Sequence, residues 1–175
     1  MLNPREILQF TNEGDDKYII KSLTDSLLQS DIKYFHNSCL SSPKLRTYVN
    51  IVDFSQENIY LYKPLKLSQK LHLAKFKVGI LPIRIESSHY CYPILPENER
   101  ICLQCSSNNN YVENEINFAL HCQKHAFLRE TLFNRIGQPA DILTDPNILK
   151  IMITSPQIVK IFAQFISDCY SNRTH

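Results

Sequence analysis

Residues 101–125 read ICLQCSSNNNYVENEINFALHCQKH, a window that gathers three of the six cysteines and two of the six histidines of the chain. Cys102 and Cys105 are separated by two residues, the spacing at which one tight turn presents two thiolates to a single tetrahedral ion. A second pair of ligands must come from elsewhere. Downstream, Asn110 reads as a helix cap with Glu113 reaching back from three residues on, and the helix it starts is expected to run to about Arg135 before Gly137 and Pro139 end it. On that helix His121 and His125 lie four residues apart and Cys122 and His125 three apart, so either pair shares a face. The window thus reads C-x2-C-x15-H-x3-H or C-x2-C-x16-C-x2-H. Zn2+ is the expected cofactor, with ligands drawn from Cys102, Cys105, His121, Cys122 and His125. Two other readings stand beside it: Cys122 packs inward while the histidines face water, or the C-x-x-C is a redox dithiol, although no strand-to-helix thioredoxin pattern surrounds it.

Working outward, the rest of the chain reads as mainly α, a small helical domain built around this zinc-knuckle-like loop and helix. Ile19, Ile20, Leu23, Leu27, Leu28, Ile32 and Phe35 recur at helical intervals between Asp16 and Leu40, and Ser41-Ser42-Pro43 stops the run. Residues 1–41 are read as an N-terminal helical arm and 42–175 as the domain proper. Lys44–Phe54 reads as either helix or extended. Between Lys66 and Val78 the stripe Leu67, Leu71, Ala74 and Val78 predicts a helix whose neighbouring side carries Lys66, Lys70 and Lys77, with Gly79 as its stop. ILPIRIE at 80–86 alternates like a short strand or extended arm. Ser155-Pro156 predicts the start of a last helix, with Ile158, Ile161, Phe162, Phe165, Ile166 and Cys169 as its apolar stripe.

Composition narrows the function classes. With 175 residues, 43% apolar and 21% charged, the chain can bury a core, and 3 glycines leave little room for a Gly-rich nucleotide fold. No phosphate loop, G-x-S-x-G or H-E-x-x-H pattern occurs, and the Asp15-Asp16 pair reads as a solvated turn, so no enzyme active site is expected. The opening MLNPREILQF is unlike a secretory signal and no window reaches a membrane span, so an intracellular location, nucleus or cytoplasm, without a membrane partner is expected. In that compartment Cys39, Cys91 and Cys169 read as small buried apolar residues. Net charge is only +2, but Lys63–Arg84 holds six basic residues and no acid. Lys44, Arg46, Lys66, Lys70, Lys75, Lys77 and Arg84 are therefore candidate contacts to phosphates of RNA or DNA, with a merely solvated basic face as the alternative.

Five stretches, in order, add a resemblance: SPKLRTYVNIVDF at 42–54, LAKFKVGILPIRIESSHY at 73–90, ENERICLQC at 97–105, VENEINFALHCQKHAFLRETLF at 112–133 and SPQIVKIFAQFISDCYSNR at 155–173. Together they resemble the C-terminal region of reverse-transcriptase proteins of non-LTR (LINE-type) retrotransposons, over roughly residue 30 to the end. The resemblance implies a zinc-binding segment following the polymerase domain, with ligands in a Cys-x2-Cys…His-x4-Cys arrangement. Cys102, Cys105 and Cys122 match three of these positions. The histidine position is Asn117, so that His121 or His125 would have to take over. A second departure is Glu86-Ser87-Ser88-His89-Tyr90, which lacks the glycine and arginine of the corresponding stretch. The implied role is a non-catalytic accessory domain that contacts template RNA or target DNA beside the polymerase of the same element. The alternative is a protein-interaction module whose last apolar helix docks on the polymerase or another partner, with zinc structural or absent.

Overall fold

Helical periods dominate the chain, and the computed structural model is mainly α-helical; it describes residues 13–42, 45–51, 58–105, 111–137 and 147–173. Among these, the α-helices are α1 (Glu13–Leu40), α2 (Arg46–Ile51), α3 (Leu67–Lys77), α4 (Arg84–Ser87), α5 (Ala126–Ile136), α6 (Asn147–Thr154) and α7 (Val159–Ser171). The chain divides into two units, Met1–Ser38 and Cys39–His175. The first consists, among its described residues, of most of α1, a single unbroken helix. Its Ile20, Leu23, Leu27, Leu28 and Phe35 are exposed.

In the second unit the core forms where α3, α5 and α6 pack on α7. The stripe read on α7 is the one that is buried: Phe162, Phe165, Ile166 and Cys169 lie inside, with Ile158 and Ile161 against them. That face is packed within the domain's own core. Phe162 meets Phe76 of α3 edge-on, ring centres 5.8 Å apart, an arrangement that contributes about 0.5–1.5 kcal/mol beyond burial.

Helix α3 has the expected position but faces the other way. Its buried residues are Gln69, Leu73, Phe76 and Lys77, while Leu67 and Leu71 are exposed. Two helical stripes compete in this segment, and the one carrying Phe76 wins because an aromatic ring removes more apolar area from water than either leucine of the rival stripe. Gly79, at φ 71°, and Gly137, at φ 66°, follow α3 and α5 in the left-handed conformation that suits glycine at a helix end.

Three other readings are corrected. ILPIRIE is not a strand; its end forms α4, with Leu81, Ile83 and Ile85 all buried. The long helix expected from Asn110 to Arg135 is broken: residues before it pair as an isolated antiparallel bridge, Ile101 with Val112, and α5 starts only at Ala126. Asn110 itself lies outside the described residues, as does Pro139. Cys91 is exposed rather than buried, whereas Cys39 and Cys169 are buried as expected. Helix α6, with Ile148, Leu149, Met152 and Ile153 inside, has no counterpart in the sequence reading. Among the described residues no single helix is long and apolar enough to cross a membrane; α6 and α7 together have the composition but meet at 114°.

Candidate metal centre

The break in the expected helix is what builds the site. Asn117–His121 form a π-helical turn, closed by Cys122 N–H donating to the Asn117 carbonyl at 2.7 Å, and Cys122 then leaves the helical region at φ −59°, ψ 119°. Asn117, Phe118, Ala119 and Leu120 are all buried, and only His121 at the end of the turn is exposed. The carbonyls released by the break are not orphaned: the Arg129 guanidinium, itself 9% exposed, donates to Cys122 O at 3.1 Å and Ala119 O at 3.4 Å. The exit at Cys122 turns its thiol toward the preceding loop.

There it meets Cys102 and Cys105. Cys102 Sγ lies 3.8 Å from Cys122 Sγ and Cys105 Sγ 3.6 Å from it, and all three sulfurs fall within 4.8 Å of one another. The group could hold a metal ion. Cys102 and Cys122 are buried and Cys105 is half-buried. The hydrogen bond between Cys102 and Cys122 pushes the Cys102 thiol up, with burial adding to the effect, and pulls the Cys122 thiol down against opposing burial. Cys122 thus loses its proton more readily than Cys102, as metal ligation and redox chemistry both require.

A buried ion pair stands behind Cys102. Glu113, fully buried, accepts from Cys102 Sγ at 3.3 Å and from the Arg84 backbone N–H at 2.6 Å. Arg173, just past α7, grips the same carboxylate with both terminal nitrogens, Nη2 at 2.7 Å. Glu113 is therefore not the capping residue the sequence suggested; it ties the cysteine loop to the end of α7. Neither Glu113 nor Arg173 was singled out as part of the site, because a pair 60 residues apart leaves no local spacing to read.

The two histidines part company. His121 is exposed, its ring tilted over Tyr111 at 6.5 Å. His125 is fully buried, packed edge-on against Phe118 at 4.9 Å, and neither ring nitrogen has a hydrogen-bond partner among the described residues. Burial, reinforced by Arg129 and Arg173, lowers its pKa to about 4, which keeps the imidazole neutral. The three-sulfur group does not include a nitrogen of either histidine. Asn117 is buried beside it: Nδ2 donates to Val112 O at 3.1 Å and Tyr111 O at 3.4 Å, and Oδ1 has no partner among the described residues. Tyr111 O also accepts from Cys102 N–H at 3.1 Å, which fixes the amide next to the loop cysteine.

The basic candidates are not one row. Lys66 is exposed, Lys75 and Arg84 are half-buried, and Lys70 donates to Leu61 O at 2.7 Å. Lys77 is a correction: it points inward, 4% exposed, hydrogen-bonded to Asn58 and 5.1 Å over the Tyr60 ring. Burial lowers its pKa to about 8. It sits on the same helical face as Leu73 and Phe76, so the choice of buried stripe that exposes Leu67 takes Lys77 inside. Lys44 and the side chain of Arg46 lie outside the described residues.

No family model matches the chain, and no curated protein or solved structure matches it either.

Proposed function

We propose that the chain is a zinc-stapled helical module that contacts nucleic acid as an accessory part of a LINE-type reverse transcriptase, with no active site of its own. The observation that carries the metal half of this reading is the spacing of the sulfurs. A tetrahedral site with Zn–S bonds of about 2.3 Å has S···S edges of about 3.8 Å, and the Cys102–Cys122 and Cys105–Cys122 separations are 3.8 and 3.6 Å. Thiolates also suit zinc among the divalent ions by softness. Cys102, Cys105 and Cys122 would hold the ion, which would serve as a cross-link joining the loop to the π-turn. Arg129 and Arg173 lie close enough to offset the negative charge of three thiolates and Glu113.

The nucleic-acid half rests on the ordered resemblance and on the acid-free basic segment, of which Lys66, Lys70 and Lys75 remain available once Lys77 is withdrawn. Such contacts are mainly to phosphates, so they position a strand rather than read its sequence. The test is binding of the full chain to a single-stranded RNA oligonucleotide across a salt series. Affinity is expected to fall steeply with salt, with a slope reduced by about 2 in the triple variant Lys66→Glu, Lys70→Glu, Lys75→Glu, as three lost contacts at about 0.7 each imply. A salt-independent affinity, no binding at low salt, or a triple variant indistinguishable from the parent would overturn it.

A further inference from the structure

We propose that His125 is the fourth ligand of the zinc site, closing it as Cys102, Cys105, Cys122 and His125; the inference rests on the zinc reading above. Three thiolates leave one corner of a tetrahedral structural site open, and such sites close with Cys or His. Two buried polar side chains near the sulfurs have unsatisfied atoms, Asn117 Oδ1 and the His125 imidazole. A buried polar group without a partner is costly, by about 1–3 kcal/mol, so each needs an explanation.

The imidazole has the stronger case. Among the described residues both of its nitrogens are unpartnered, whereas the Asn117 amide is already anchored through Nδ2 to two backbone carbonyls. His125 follows Cys122 by one short turn, its backbone N–H bonded to Cys122 O at 3.1 Å. It interacts electrostatically with Glu113 and Arg129, and these are the residues that contact Cys102 Sγ and Cys122 O. The imidazole therefore shares two charged neighbours with the cysteine loop and turn, Glu113 with Cys102 Sγ and Arg129 with the Cys122 carbonyl. A carboxamide oxygen is, by contrast, a poor match to an ion that selects sulfur and imidazole nitrogen. His121, exposed beside Tyr111, is open to solvent and needs no ion. Since the His125 nitrogens lie outside the 4.8 Å group, coordination must draw the ring toward the sulfurs, relieving one of its two unsatisfied nitrogens as it does so.

The experiment uses the reduced full chain, titrated with zinc against a chelating dye and with Co2+ followed by its charge-transfer absorption. Removing an outer residue of a zinc site costs 10–100-fold in affinity, so loss of a ligand in His125→Gln is expected to cost about 100-fold or more. His121→Gln is expected to stay within a few-fold of the parent, and Asn117→Ala to lose less than His125→Gln. His125→Cys is expected to restore tight binding and to raise the thiolate-to-cobalt intensity by about a third, from three sulfurs to four. That gain reports ligation and cannot come from packing, so it decides the matter even if His125→Gln folds poorly. An affinity for His125→Gln equal to the parent, a larger loss in Asn117→Ala, or a His125→Cys spectrum without added intensity overturns the assignment while leaving the zinc site standing. A parent chain that binds neither zinc nor Co2+ overturns the zinc reading itself, and the assignment with it.

Discussion

The cysteine window at 101–125 and the α3–α7 pair lie in one unit and share its apolar core through Phe118, Ala119 and Leu120, but the window also buries three polar side chains beside its sulfurs. In the helix pair, Leu73 and Phe76 meet Phe162 and Ile166, and the apolar contact needs no partner atoms to be matched. In the window, Glu113, Asn117 and His125 are all buried alongside three thiols, and each must find a donor, an acceptor or an ion. The first region tolerates approximate complementarity; the second depends on particular atoms. The difference teaches where the molecule should fail when perturbed.

The largest effect is expected from the ion. Structural zinc in small fingers supplies about 10–16 kcal/mol of apparent binding energy that is also folding energy. Chelation, or Cys102→Ser, should therefore release the metal and abolish amide-exchange protection over 101–125, while α3 and α7 stay protected. Uniform loss across both regions would erase the contrast between them.

Phe162→Ala attacks the other side. Removing a fully buried ring should cost about 3–5 kcal/mol in the denaturation midpoint with metal content unchanged. Metal loss from the folded variant would show that the regions are not separable.

Arg173→Met tests the link between them. It strands the buried Glu113 carboxylate and should cost about 3 kcal/mol, the lower end for a broken buried pair because the Arg173 side chain is 15% exposed. Adding Glu113→Gln should recover part of that loss, and a double variant as unstable as the sum of the singles would deny the coupling.

The last effect, confined to alkaline pH, concerns Lys77. Its pKa falls from 10.5 to about 8 on folding, so the unfolded chain binds more protons between those values. Stability from this group should therefore rise as pH increases from about 8 to 10.5. Lys77→Met should flatten that rise in a pH series of denaturation midpoints, and an unchanged slope would place the ammonium in water.

Much of the helix pair was legible because periodicity reports burial directly, as on α7 from Ile158 to Cys169. On α3 periodicity left a choice of stripe, and only packing of Phe76 on Phe162 decided it. The metal centre was legible in its ingredients, since Cys102, Cys105 and Cys122 stand at readable spacings. Its construction was not. The helix break at Cys122 depends on Arg129 satisfying freed carbonyls, and the support of Cys102 comes from Glu113 and Arg173, contacts made through space by residues far apart in the chain. A buried asparagine or histidine also looks the same in sequence as a solvated one, which is why Asn117, His121 and His125 could be sorted only by their surroundings.

The most direct measurement is the zinc content of the purified, reduced full chain, by elemental analysis against protein concentration. One zinc per chain, falling to none in Cys122→Ser, is the result expected from a Cys122 sulfur 3.8 and 3.6 Å from those of Cys102 and Cys105. A folded parent chain carrying no zinc, and taking up none when it is supplied, would contradict it.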